Sequence, residues 1–119
     1  MGRPFKRYPF RPGQLVYVCQ NCHNQIARMD SVISSHFRGR LGTGLFMEDA
    51  LVNVLEEEDD PEERQMLTGL HVVHNCRCID CGQLLGWRYI STKETGQEYK
   101  LGKYVLEQSL LSIQEVTTG

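Results

Sequence analysis

Apolar side chains recur at alternate positions along short runs of this chain, which is the period of a strand with one buried face. LVYVC (15–19), VIS (32–34), ALVNVL (50–55), MLTGLHVVHNCRC (66–78) and LLGWRYIS (84–91) each read as a strand. Ala occurs twice, whereas Val, Ile and Thr together occur 20 times, a composition that favours strands over helices. The run YVLEQSLLSI (104–113) fits two periods, because Leu106, Leu110 and Ile113 also suit a helix. Asp60, Pro61 and Glu63 fit the N-cap, N1 and N3 positions of a short helical turn that Gly69 would end. Gly39, Gly42 and Gly44 read as bends between strands, since no Lys-Ser/Thr pair follows them as in a phosphate-cradling loop. The expectation is one mainly β domain, in keeping with 119 residues.

Charge divides the chain further. Arg3, Lys6, Arg7 and Arg11 put +4 into the first 18 residues, whereas Glu56 to Glu63 holds seven acids in eight positions. Residues 1–14, rich in Pro, cations and aromatics, read as a flexible basic arm, residues 15–113 as the folded domain and residues 114–119 as a tail. The acidic block reads as a solvated hairpin tip. The net charge is −2, whereas a protein gripping a nucleic-acid backbone over a broad face is usually basic overall, so nucleic acid is a disfavoured partner. No run reaches the roughly 18 to 20 apolar residues that span a bilayer, and MGRPFKRYPF lacks the apolar segment of a signal peptide. A soluble intracellular protein without membrane partners is expected.

Five cysteines stand at 19, 22, 76, 78 and 81. Cys19/Cys22 and Cys78/Cys81 form two C-x-x-C pairs, and two intervening residues let a tight turn aim both sulfurs at one point. Two such knuckles can close a tetrahedron around one zinc ion. A disulfide framework needs an oxidising compartment. A thioredoxin-type redox pair needs a βαβ setting that a strand-rich chain does not supply. Four buried structural thiols fill a core poorly. Zinc also answers a deficit, because only 40% of residues are apolar and the core is thin. A closed four-sulfur site leaves no position for water, so the metal is structural. Cys76 is the odd thiol, sharing a strand face with Cys78 and His74 and read as packing. His23, His71 and His74 would be substitute ligands only if a cysteine were displaced.

CQNCHNQIARMDSVISSHFRG, ALVNV, EERQMLTGLHVV, CIDCGQLLGWRY and QEYKLGKYVLE follow one another between Cys19 and Glu107, and together they resemble the Yippee and Yippee-like proteins. TGLH (68–71), LGWRY (85–89) and YKLGKYVLE (99–107) are the most specific words. The resemblance puts Cys19, Cys22, Cys78 and Cys81 on the family's zinc ligands and leaves Cys76 as an extra. Gly44 and Leu45 stand where an Ala-Tyr pair is usual, and the acidic linker is longer than usual. The implied fold is a β-tent, two antiparallel sheets set at an angle and pinned by zinc. That architecture is shared with the thalidomide-binding domain of cereblon, zinc-containing methionine-sulfoxide reductases and an RNA-sensing receptor domain, so fold alone does not choose a function.

Three functions follow from these readings. A reductase needs an activated thiol away from zinc, usually on the last strand, yet GKYVLEQSLL (102–111) has no cysteine. An aromatic pocket is expected around Trp87, Tyr89 and Tyr104, with Leu85 on the same strand face, open to a small heterocycle or a modified side chain. The favoured reading is a non-catalytic zinc-stabilised adaptor. The family resemblance implies protein partners, among them ubiquitin-ligase assemblies, a nuclear and cytoplasmic location, and a role in growth or stress responses. A monomer is expected.

Overall fold

The alternating runs extend into ten strands, and the computed structural model describes residues 6–118. They are β1 (Leu15–Cys19), β2 (Gln25–Arg28), β3 (Val32–Arg38), β4 (Thr43–Met47), β5 (Val54–Glu56), β6 (Glu62–Met66), β7 (Gly69–Cys78), β8 (Leu84–Thr92), β9 (Tyr104–Glu107) and β10 (Leu111–Glu115). Single 3₁₀ turns sit at Met29–Ser31, Glu98–Lys100 and Gln108–Leu110. Residues 1–5 of the expected arm and the last tail residue lie outside the described residues.

Among the described residues all pairings are antiparallel, in two sheets. The small sheet runs β10-β1-β2, and the large one runs β3-β4-β9-β8-β7 with β5 and β6 both against β7. The core lies between them, where Tyr17, Ile26 and Ala27 of the small sheet meet Leu45, Met47, Cys76, Leu85 and Leu106 of the large one. Alternation sends Phe46, Val73, Trp87, Tyr89 and Val105 to the outer face of the large sheet, where they form a second cluster with Phe37, Met66 and Leu101. All four residues of β9 are buried because both faces of that strand are covered.

Three expectations change. Asp60-Pro61 does not open a helical turn: the chain turns there and re-extends as β6, whose ladder with β7 satisfies five residue pairs from Glu62↔Val73 to Met66↔Gly69. The acidic block is not a hairpin tip either. β5 pairs with Cys76–Cys78 and β6 with Gly69–Val73, end to end along one edge of β7, so the block is an excursion from that edge. The 104–113 run is resolved as strand, 3₁₀ turn, strand, with β10 crossing to the small sheet.

The described part of the arm packs onto the body. Lys6 Nζ lies 2.7 Å from Asp80 Oδ2, and Gly13 N–H donates to Val116 O at 2.8 Å. The pairing of β1 with β10 continues to Leu15↔Glu115.

Candidate metal centre and aromatic pocket

The first C-x-x-C turn joins β1 to β2 in the small sheet, and the second joins β7 to β8 in the large one. Their backbones repeat position by position. His23 N–H donates to Cys19 O at 2.7 Å and Gly82 N–H to Cys78 O at 3.0 Å. Cys19 N–H donates to Asn24 O and Cys78 N–H to Gln83 O, both at 2.9 Å. His23 and Gly82 both lie in the left-handed region, at φ 64° and 76°. Glycine adopts this freely, whereas His23 pays a steric cost to close its turn.

The two turns bring the Cys19, Cys22, Cys78 and Cys81 sulfurs within 4.8 Å of one another. Across the knuckles, Cys19 Sγ is 3.6 Å from Cys81 Sγ and Cys22 Sγ is 3.4 Å from Cys78 Sγ. These separations are far beyond a disulfide's roughly 2.05 Å and near the roughly 3.8 Å edge of a tetrahedron with 2.3 Å zinc–sulfur bonds. The donor set therefore fits one zinc ion. Backbone N–H groups of Asn21 and Cys22 favour the Cys19 thiolate, and those of Asn24 and Gln83 do the same for Cys22 and Cys81. Without a cation, burial still pushes the Cys22 thiol up to about 12, so metal binding must displace protons. Asn24 Nδ2–H reaches Cys78 Sγ at 3.5 Å and Asn53 O at 3.2 Å, steadying the ligand from behind. Cys76 stands apart from the cluster. It is fully buried in the inter-sheet core, and burial pushes its thiol up to about 12.

None of the three candidate histidines joins the sulfurs. His71 is clamped between Thr68 Oγ1 and Thr92 Oγ1, each at 2.8 Å. His74 Nδ1 lies 2.5 Å from Glu56 Oε2, whose other oxygen accepts from Arg88 at 3.1 Å. Thus the first acid of the acidic block is a structural partner, as is Glu57 beside Arg77, while Glu58, Asp59 and Asp60 face solvent.

Of the three rings expected together, the structure brings Trp87 and Tyr89 to one cavity and sends Tyr104 elsewhere. Trp87 and Tyr89 pack edge to face at 6.4 Å on the outer face of the large sheet and border a cavity of about 650 Å³. Tyr104 points into the inter-sheet core, because it pairs with Arg88 and not with Trp87. The Arg88 guanidinium lies 5.3 Å from its ring, and burial raises its hydroxyl to about 12. Leu85 also faces inward, since the β7–β8 register shifts between Cys76 and Arg77 and breaks the alternation. Leu45, where the family commonly has tyrosine, lies in the inter-sheet core and does not border the cavity. Phe37 and Tyr99 complete the aromatic wall, with Lys100 between them. Lys100 and Asn53 had no signal in the sequence, since a lone lysine or asparagine in a charged or turn-like stretch reads as solvated.

The family described as "Yippee zinc-binding/DNA-binding /Mis18, centromere assembly" matches residues 15–119. The chain belongs to the Yippee family. A yippee-like protein of Arabidopsis thaliana is 39% identical over 97 residues, covering 82% of this chain and 89% of its own length. Protein yippee-like 3 of Homo sapiens is 40% identical over 91 residues, covering 76% of this chain and 74% of its own. Among solved structures, the Mis18 "Yippee-like" domain superposes with a TM-score of 0.66 at 20% identity, covering 88% of this chain and 99% of that one. That likeness establishes the shared fold. The four clustered cysteines of this Yippee protein are accordingly its zinc site, one knuckle from each sheet, and the ion joins the sheets at that end.

Proposed function

We propose that this protein is a non-catalytic, zinc-riveted adaptor that holds a rigid sheet surface for protein partners. The observation carrying this reading is where its five thiols lie. Four close on one metal position, and the fifth, Cys76, sits in the inter-sheet core on the face opposite the aromatic cavity. A saturated zinc lacks an open site for water, and a buried, high-pKa thiol lacks the thiolate character of a reductase nucleophile.

Two exposed features support this reading. Leu67 at the β6–β7 turn is 87% exposed, Tyr99 is 55% exposed, and both border the cavity mouth, while Glu58, Asp59 and Asp60 project from the β7 edge. An apolar rim gives contact energy, and an acidic excursion biases partner choice. Ubiquitin-ligase assemblies, a nuclear and cytoplasmic distribution and a growth or stress role belong to this proposal through the family resemblance. The family's description names DNA binding and centromere assembly; the net charge of −2 and the exposed acids argue against a duplex-backbone grip by this chain.

Affinity purification of tagged full-length protein from its native cells tests the reading. Recovery of a stoichiometric protein assembly, weakened by Leu67→Glu or by neutralising Glu58, Asp59 and Asp60, is the expected result. Recovery of nucleic acid without protein, or methionine-sulfoxide turnover lost in Cys76→Ser, would overturn it.

A further inference from the structure

The outer-face cavity has walls of one polarity. Arg38, Arg40, Arg64 and Lys100 border it, and among the described residues no Asp or Glu does. Glu62 partly balances Arg64, at 3.1 Å, from outside the lining. Lys100 has no carboxylate partner among the described residues. It is 4% exposed, and its ammonium donates to Thr68 Oγ1 at 3.1 Å. With three N–H groups and one such acceptor, it retains donors to spare.

Two neighbours share this condition. Arg64 Nη1 and Trp87 Nε1 are buried without a hydrogen-bond acceptor among the described residues. A buried unmatched donor forfeits its hydrogen bond to water with nothing in return, so folded chains rarely gather several around one cavity without a partner for them. The two unmatched groups and the spare N–H groups of Lys100 are all donors, which calls for an acceptor. The excess positive charge calls for a negative one.

The rings select shape and exclude the opposite charge. Lys100 Nζ lies 5.3 Å from the Phe37 ring centre, 5.5 Å from Tyr89 and 5.8 Å from Tyr99, and the Arg64 guanidinium lies 5.1 Å from Trp87. The chain's own cations thus occupy the places a methylated lysine or a quaternary ammonium would take in an aromatic cage. Phe37 is already stacked on Phe46 at 4.3 Å, but a flat ring can still lie against Tyr99, which is 55% exposed, and about 650 Å³ is ample for a ring with a charged substituent. We propose that this cavity binds a small planar oxyanion, an aromatic or heterocyclic ring carrying a phosphate or carboxylate, which accepts hydrogen bonds from Lys100, Arg64 and Trp87. The inference does not depend on the adaptor role.

Trp87 is the chain's one tryptophan, so its fluorescence reports on the site directly. Zinc-loaded full-length protein is titrated with adenosine monophosphate, nicotinate, their uncharged counterparts adenosine and nicotinamide, and tetramethylammonium, with calorimetry in parallel. Saturable binding of an oxyanion, weakened by salt and about tenfold tighter than its uncharged counterpart, is expected. Adenosine monophosphate alone binding assigns a phosphate ligand, and nicotinate alone assigns a carboxylate. Lys100→Met is expected to lose about tenfold or more in affinity while retaining zinc; Arg64→Gln provides the same reading should the first variant fail to fold. No saturation by either oxyanion, equal binding of the uncharged compounds, or tighter binding of tetramethylammonium would refute the assignment.

Discussion

Asn53 exchanges two hydrogen bonds with the backbone of Arg7, its Oδ1 accepting from Arg7 N–H at 2.6 Å and its Nδ2 donating to Arg7 O at 2.7 Å. One side chain thereby imitates a strand partner and pins the arm beside the second knuckle. The same Nδ2 donates to Gln25 O at 2.8 Å, and Asn53 is 6% exposed with φ 59°. Asn53→Ala is expected to cost about 2–4 kcal/mol, from lost buried hydrogen bonds and from a left-handed backbone that alanine resists. Denaturant unfolding measures the loss. Faster amide exchange around Arg7, retained in Asn53→Gly, would separate the side chain's role from the backbone's.

Removing zinc should unfold the domain. Structural zinc in small sites contributes about 10–16 kcal/mol of apparent free energy, which exceeds the whole stability of many domains. Native mass spectrometry should find one zinc per chain, lost on chelation together with the β-sheet circular dichroism signal. Cys78→Ser should abolish both. Cys76→Ala should keep the metal and lose a smaller amount of stability, because it removes only buried core volume.

Gly86 is required by the approach of β9. A Cβ there would overlap the Val105 carbonyl oxygen and lie 2.9 Å from Leu106 Cα, both backbone atoms that cannot swing aside. Gly86→Ala is expected to cost at least the upper end of the roughly 1–3 kcal/mol typical of overpacking, or to prevent folding. Thermal unfolding at neutral pH with zinc present is the measurement.

Stability should also depend on pH through His71. Burial first, and the Lys100 charge second, hold its imidazole below the ordinary 6.5. As pH falls below that value, histidine in the unfolded chain takes up a proton that folded His71 refuses. The unfolded state then binds more protons, so stability decreases with falling pH. His71→Gln should flatten this slope in chemical denaturation between neutrality and mild acid. Zinc content followed in the same samples distinguishes the effect from metal loss.

Strand identity and the metal site were legible in the sequence because both are local patterns. Period-two runs such as Val16 and Val18, or Trp87 and Tyr89 within 84–91, describe strands without reference to neighbours, and each C-x-x-C pair carries its own turn. The acidic block misled because Glu56 and Glu57 read as solvated until His74, Arg88 and Arg77 come alongside. Tyr104 misled because its facing depends on pairing with Arg88, and Leu85 because a register shift turns it inward.

The sequence by itself determined a β-rich chain with two sulfur knuckles, since turn chemistry and side-chain alternation act over a few residues. Only the tertiary structure decided which rings share a face, which acids are neutralised, and that Lys100, Arg64 and Trp87 surround one cavity with unmatched donors. Those properties are relations between strands distant in the chain, set by register across antiparallel pairs, and a shift of one residue would reverse each of them.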